Sequence, residues 1–317
     1  MAHRKIPRQG GHWSGIDPSL LSRLVENKSE KRNLVQDAAD VSEMRDYLDG
    51  DAFNWIFLAM QPSLLGRLVP KVPEMFRNRL RNDKKVPYSK PHKYAVFVNG
   101  YPGEENDSDD IPLAYPMALG EGFGPKDIYI LSNSIGAGII YPTDGPITME
   151  SFDLLVNHLS RKISKQDLLF FYFNGHGGMR KFKNGETEQM ESCASLSFYG
   201  KDVSDKEIAW KLERLTPGVG IYLVDTCYAG NFAEKLGHGN NIAISSSSPY
   251  NLSQGHFTDY FFNAFRDKAG DLDGDGRISL GEAFNYAITN DHYTQHNIVT
   301  PQIYSEGINP YTVYLDI

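Results

Sequence analysis

The nine residues FFYFNGHGG, Phe170 to Gly178, join two unlike kinds of sequence. Four aromatic residues in succession show neither the alternation of a half-exposed strand nor the spacing of an amphipathic helix. They read as a strand buried on both faces. The Asn-Gly-His-Gly-Gly that follows cannot continue it. Strands buried on both faces belong to parallel sheets covered by helices, and such sheets bind ligands beyond the carboxyl ends of their strands. His176 stands at one of those ends.

Working outward, apolar runs alternate with amphipathic ones. YAVFVNG (94–100), DIYILSN (127–133), DLLFFYFNG (167–175), GIYLVDT (220–226) and NIAISSSS (241–248) read as strands. IPLAYPMALGEG (111–122), TMESFDLLVNHLSRKI (148–163), SDKEIAWKLERL (204–215) and HFTDYFFNAFRDKAG (256–270) read as helices. Thr148 with Ser151, and Ser204 with Glu207, supply N-terminal caps; Ser151 stands where a capping box normally has Glu or Gln. The polar stretch up to Gly200 reads as a hairpin-like insertion. The expected fold is therefore α/β, three layers, with a mainly parallel central sheet and helices on both faces.

Residues 1–92 differ. They are Pro-punctuated, carry apolar residues at helical spacing, and read as a mostly helical N-terminal extension ahead of a domain at 93–317. Residues 1–93 hold 17 Lys and Arg against 11 Asp and Glu; the remainder holds 15 against 29. A basic extension before an acidic body suggests a pro-segment, with self-cleavage expected near Arg77 to Lys85. A net charge of −8 argues against nucleic acid as a partner. FNWIFLAM is too short to span a bilayer, and no apolar run follows the basic N-terminus, so neither a membrane nor a secretory route is expected. Two cysteines make no disulfide framework or zinc site, which favours a reducing, cytoplasmic location.

One of those cysteines, Cys227 in IYLVDTCYAGNF, leaves an apolar strand much as His176 does. If the two strands are neighbours, imidazole and thiol converge. A thiol is a weak nucleophile until a base activates it, and His takes and returns a proton near neutrality. Gly177, lacking a side chain, lets its N–H approach an oxyanion, with the Cys227 N–H as second donor. Ser245 to Ser248 form another polar strand exit, with Ser246 and Ser247 as candidates to line a substrate groove.

These paired motifs, 51 positions apart, resemble the caspase/legumain superfamily of cysteine peptidases. DTCYAG is closer to the legumain and metacaspase branches than to caspases. YAVFVNG, DIPLAY, DIYILSN and GHFTDYFFNAF are similar to other legumain segments, so the resemblance spans about residues 93–290. It implies a caspase-like fold, His176 as base, Cys227 as nucleophile and Gly177 as oxyanion donor. It also implies Asp225 and Asp110 in the specificity pocket. The Arg that legumains and caspases place near Asp110 is absent from EENDSDD (104–110), so an acidic pocket favouring Arg or Lys before the scissile bond is expected. The same acyl-enzyme could instead be intercepted by an amine, giving a transpeptidase or transamidase. An interaction module with an inactive site is the other alternative.

DLDGDGRISLGE, Asp271 to Glu282, fits D-x-D-x-D-G-x5-E without exception. Asp271, Asp273, Asp275, the Arg277 carbonyl, Ser279 and Glu282 are the expected ligands of Ca2+ in an EF-hand-like loop.

Overall fold

A computed structural model describes residues 72–83, 91–101, 110–132, 143–183, 187, 189–199, 201–253, 256–266 and 268–316, all within the compact unit 68–317. Expectations for residues 1–71, including most of the helical extension, lie outside the described residues.

Strands β1 (Lys93–Asn99), β2 (Ile128–Ser132), β3 (Leu168–Asn174), β7 (Val219–Asp225) and β8 (Asn241–Ser245) pair in parallel. The sheet order is β2-β1-β3-β7-β8-β9, and β9 (Gln302–Tyr304) closes it antiparallel to β8. Phe171 and Phe173 enter the core on one face, and Phe170 and Tyr172 enter it on the other. That two-sided burial is why the run is unbroken in hydrophobicity.

One face is covered by α3 (Met149–Lys162), α4 (Asp205–Leu212) and α5 (Gly230–Leu236). The other carries α2 (Ile111–Gly120), α6 (Phe257–Arg266) and α7 (Leu280–Asn290). The protein is thus a three-layer α/β structure. The caps form as read: Thr148 Oγ1 accepts the Ser151 N–H while Ser151 Oγ accepts the Thr148 N–H, so Ser serves in place of Glu. Ser204 Oγ accepts the Glu207 N–H.

The insertion after His176 is a three-stranded antiparallel sheet, β4 (Gly177–Lys183), β5 (Met190–Phe198) and β6 (Lys201–Ser204). It is one strand more than a hairpin, because residues after Phe198 turn back before the Ser204 cap. Helix α1 (Glu74–Asn82) buries Phe76 in the same core as α3. Arg79 stacks on Tyr129 and donates to the carbonyls of Lys126 and Ile128. Residues Arg77–Asn82 of the expected trimming region are therefore helical and docked at the β2 edge of the sheet.

Candidate active site

The site begins with register. Asn99, Asn174 and Asp225 stand side by side at the ends of β1, β3 and β7. His176 lies two residues past Asn174, and Cys227 two past Asp225, so both leave the same end of adjacent strands. The Gly175 N–H donates to the Asp225 carbonyl at 3.2 Å, carrying the pairing one step further. Gly177 then lies directly on the Thr226–Cys227 backbone. A Cβ there would stand 2.1 Å from Thr226 Oγ1 and 2.5 Å from the Cys227 carbonyl oxygen, so only glycine permits the approach. His176 is exposed and Cys227 partly buried. The Tyr101 ring meets the imidazole edge-to-face at 4.8 Å, and Asn99 Oδ1 fixes Tyr101 by accepting its N–H at 2.9 Å.

Cys227 sits on a sharp strand-to-helix turn. Tyr228 follows with φ of 62°, the left-handed region a non-glycine residue enters only when its surroundings hold it there. The Tyr228 N–H donates to the Asn251 carbonyl at 2.9 Å. Ser247 Oγ accepts the Ala229 N–H at 3.0 Å and donates to the Thr226 carbonyl at 2.9 Å. Ser247 is fully buried, so it braces the turn from beneath rather than facing a groove. Ser246 Oγ lies 3.0 Å from Ser253 Oγ, which donates to Asp225 Oδ1 at 2.9 Å.

Beside the pair lies a buried acidic cluster. Asp110 occupies the N-cap position of α2 but caps nothing with its side chain. Its Oδ2 instead accepts from Tyr172 Oη at 3.1 Å, Asn174 Nδ2 at 3.0 Å and Thr258 Oγ1 at 2.6 Å. Thr258 also bonds Asp225 Oδ2. Asp110 and Asp225 are both buried. Burial, and then the charges of Asp225 and Asp259, hold the Asp110 carboxyl well above the ordinary value of 3.8. Burial likewise raises Asp225, against the opposing pull of its hydroxyl donors Ser246, Thr258 and Ser253. Nearby buried atoms lack partners within the protein: Asn99 Nδ2, Asn174 Oδ1, Thr226 Oγ1 and Ser245 Oγ. Strand ends that present unmet polar atoms suit a polar occupant.

The acidic loop gathers only part of its expected cage. Carboxylate oxygens of Asp271, Asp273 and Asp275 lie within 4.8 Å of one another. Gly274 and Gly276 take φ of 80° and 86°, as the tight turn requires. Glu282 is otherwise engaged. Its Oε1 accepts the N–H groups of Leu272 and Asp273, and its Oε2 accepts the N–H and hydroxyl of Ser279. Four donors fill the four acceptor positions of a carboxylate. Ser279 is the N-cap of α7 in a capping box with Glu282, and the Arg277 side chain stacks on Tyr314 and pairs with Asp316. The three aspartates fit a hard dication by donor type; Ser279 and Glu282 are held by the helix cap.

Cys193 is buried on β5, where burial and then Asp205 push its thiol above the usual range. Sequence reading omits Thr258, Tyr101 and Ser253 from the site. Tyr101, two residues past the end of β1, follows the same strand-exit rule that singled out His176. The chain matches no known family of protein sequences and no curated protein.

Proposed function

We propose that the protein is a cysteine endopeptidase of the caspase/legumain type, acting in a reducing compartment such as the cytoplasm. One observation carries this reading: His176 and Cys227 leave adjacent, register-matched strand ends, with Gly177 so near the Cys227 backbone that a side chain there would overlap it. His176 takes the thiol proton as Cys227 Sγ bonds to the substrate carbonyl carbon. The N–H groups of Gly177 and Cys227 receive the developing oxyanion. His176 returns the proton to the leaving amine as the C–N bond breaks, and water, deprotonated by the same imidazole, releases the acid and regenerates the thiol. The buried carboxyls of Asp110 and Asp225 support preference for Arg or Lys before the scissile bond. A positional peptide library tests both parts. Cleavage after basic residues, lost in Cys227→Ala, is expected; undiminished cleavage by that variant sinks the assignment.

The three-aspartate loop is a candidate calcium site that orders the segment between α6 and α7. Calcium should raise the melting temperature relative to chelator. An equal shift in an Asp271→Ala, Asp273→Ala double variant would show that the loop is only an acidic turn.

A further inference from the structure

Thr258 is fully buried in the first turn of α6. Its hydroxyl oxygen lies 2.6 Å from Asp110 Oδ2 and also bonds Asp225 Oδ2. A hydroxyl has one hydrogen. It can donate to one carboxylate; toward the other it can only accept, and a carboxylate gives a hydrogen bond only when protonated. The remaining donors to the pair are neutral: Tyr172 and Asn174 on β3 reach Asp110, and Ser246 and Ser253, from the segment after β8, reach Asp225. The other carboxyl bearing on the pair is Asp259 on α6, which hydrogen-bonds Asp110, adds its charge to both and lies 3.6 Å from His256. Two full negative charges this close and this deeply buried repel strongly, and neutral donors do not cancel that.

We infer that Thr258 ties Asp110 and Asp225 into a proton-holding receptor for basic side chains. The empty pocket carries one carboxylate and one carboxylic acid joined through the hydroxyl. An entering guanidinium or ammonium drives the acid's proton to solvent and faces two carboxylates. The pocket's net charge is the same before and after, so occupation exchanges a proton for the substrate cation. Neutral side chains displace no proton and bring no charge to meet the second carboxylate, which makes Thr258 a positioning residue for specificity. This inference rests on the basic-substrate reading above. It adds that binding weakens as pH falls, by about tenfold per unit where the empty pocket is protonated and the filled one is not.

The test is calorimetric titration of the full-length Cys227→Ala protein with acetyl-Ala-Ala-Arg-amide, in buffers of different ionisation enthalpy at pH 7. About one proton released per peptide is expected. Thr258→Ser should keep that release. Thr258→Val, which removes the hydroxyl at nearly constant volume, should weaken binding about tenfold and reduce the release by more than half. Asp110→Asn should abolish it. Should Thr258→Val fail to fold, the Ser and Asn variants decide. Tight binding without proton release overturns this inference alone, as does full release persisting in Asp110→Asn. No binding of the peptide overturns it together with the basic-substrate reading.

Discussion

Two groups of hydrogen-bonded carboxyls, one half-buried and one buried, make an instructive contrast within one molecule. Asp83, just past α1, accepts two contacts at 2.6 Å from Lys162 Nζ and further bonds from Tyr129 and from His158 at 3.0 Å. Lys162 is itself buried, with Asp127 at 3.3 Å. Burial raises the Asp83 carboxyl, but the Lys162, Tyr129 and His158 contacts outweigh it, and the net direction is downward. Asp110 and Asp225 are buried more deeply and have only neutral donors, so burial prevails and both are pushed up. The first carboxylate comes with its cation; the second pair is left for one to arrive. Compensated charge fastens α1 to the body, whereas uncompensated charge lies beside the candidate nucleophile, where an unmet requirement is useful.

The largest expected effects lie at the uncompensated end. Cys227→Ala and His176→Ala should each lower kcat/KM by about 10^4-fold or more, since such groups act as a unit, with unchanged melting temperature. Thiol labelling should fall on Cys227 and spare Cys193. Next, Asp225→Asn should reduce kcat/KM for Arg substrates by about 10^2-fold, from the 2–5 kcal/mol lost when one partner of a buried charge pair is removed. Equal losses on basic and neutral substrates would break the comparison.

At the compensated end the effect is on stability. Lys162→Met should cost about 2–3 kcal/mol in urea unfolding. That is below the full value for a buried pair, because the Asp83 side chain keeps 23% exposure. No loss would mean that Asp83 is solvated without its lysine.

The smallest effect separates the two clusters by pH. Asp83, lowered from 3.8, contributes stability that is complete above that value and lost as pH falls through its folded pKa. Asp110 and Asp225 are raised. Whatever stability they lend is complete below their unfolded value and lost as pH rises through their folded ones. Asp110→Asn should therefore stabilise the protein at pH 8 by about 1 kcal/mol while impairing cleavage, the trade expected of a strained site. Below pH 4 its benefit should vanish. A uniform gain at every pH would point to packing instead of charge.

Local rules carried the sequence reading a long way. FFYF and IYLV are buried on both faces as their composition requires, and Ser204 caps α4 as its spacing to Glu207 predicts. Elements set by distant pairing were not legible. Strand β9 pairs antiparallel with β8 from some 60 residues away, and three residues carry too little pattern to announce it. Thr258 was hidden for the same reason: its partners, Asp110 and Asp225, lie 148 and 33 positions distant. Ser279 and Glu282 are ambiguous in a different way. The same serine and glutamate three positions apart satisfy both a calcium-loop pattern and a capping box, and the structure uses them for the cap.

Helix α6 bears Thr258 in its first turn, and Asp271 follows its last residue, Arg266, by five positions. Its flank is wedged against α7 through Phe257 and Phe284, whose ring centroids are 5.6 Å apart. Ten helical residues form a rod about 15 Å long, so a tilt of roughly one degree at one end moves the other by about 0.3 Å. That displacement is more than half of the roughly 0.5 Å spread of good hydrogen-bond lengths. The rod is therefore a lever with a sensitive tip. A small rearrangement in the aspartate loop reads out as a change in how tightly two carboxyls share one hydroxyl and so, on the proposed function, in which peptides would be accepted before any change in how fast they would be cut.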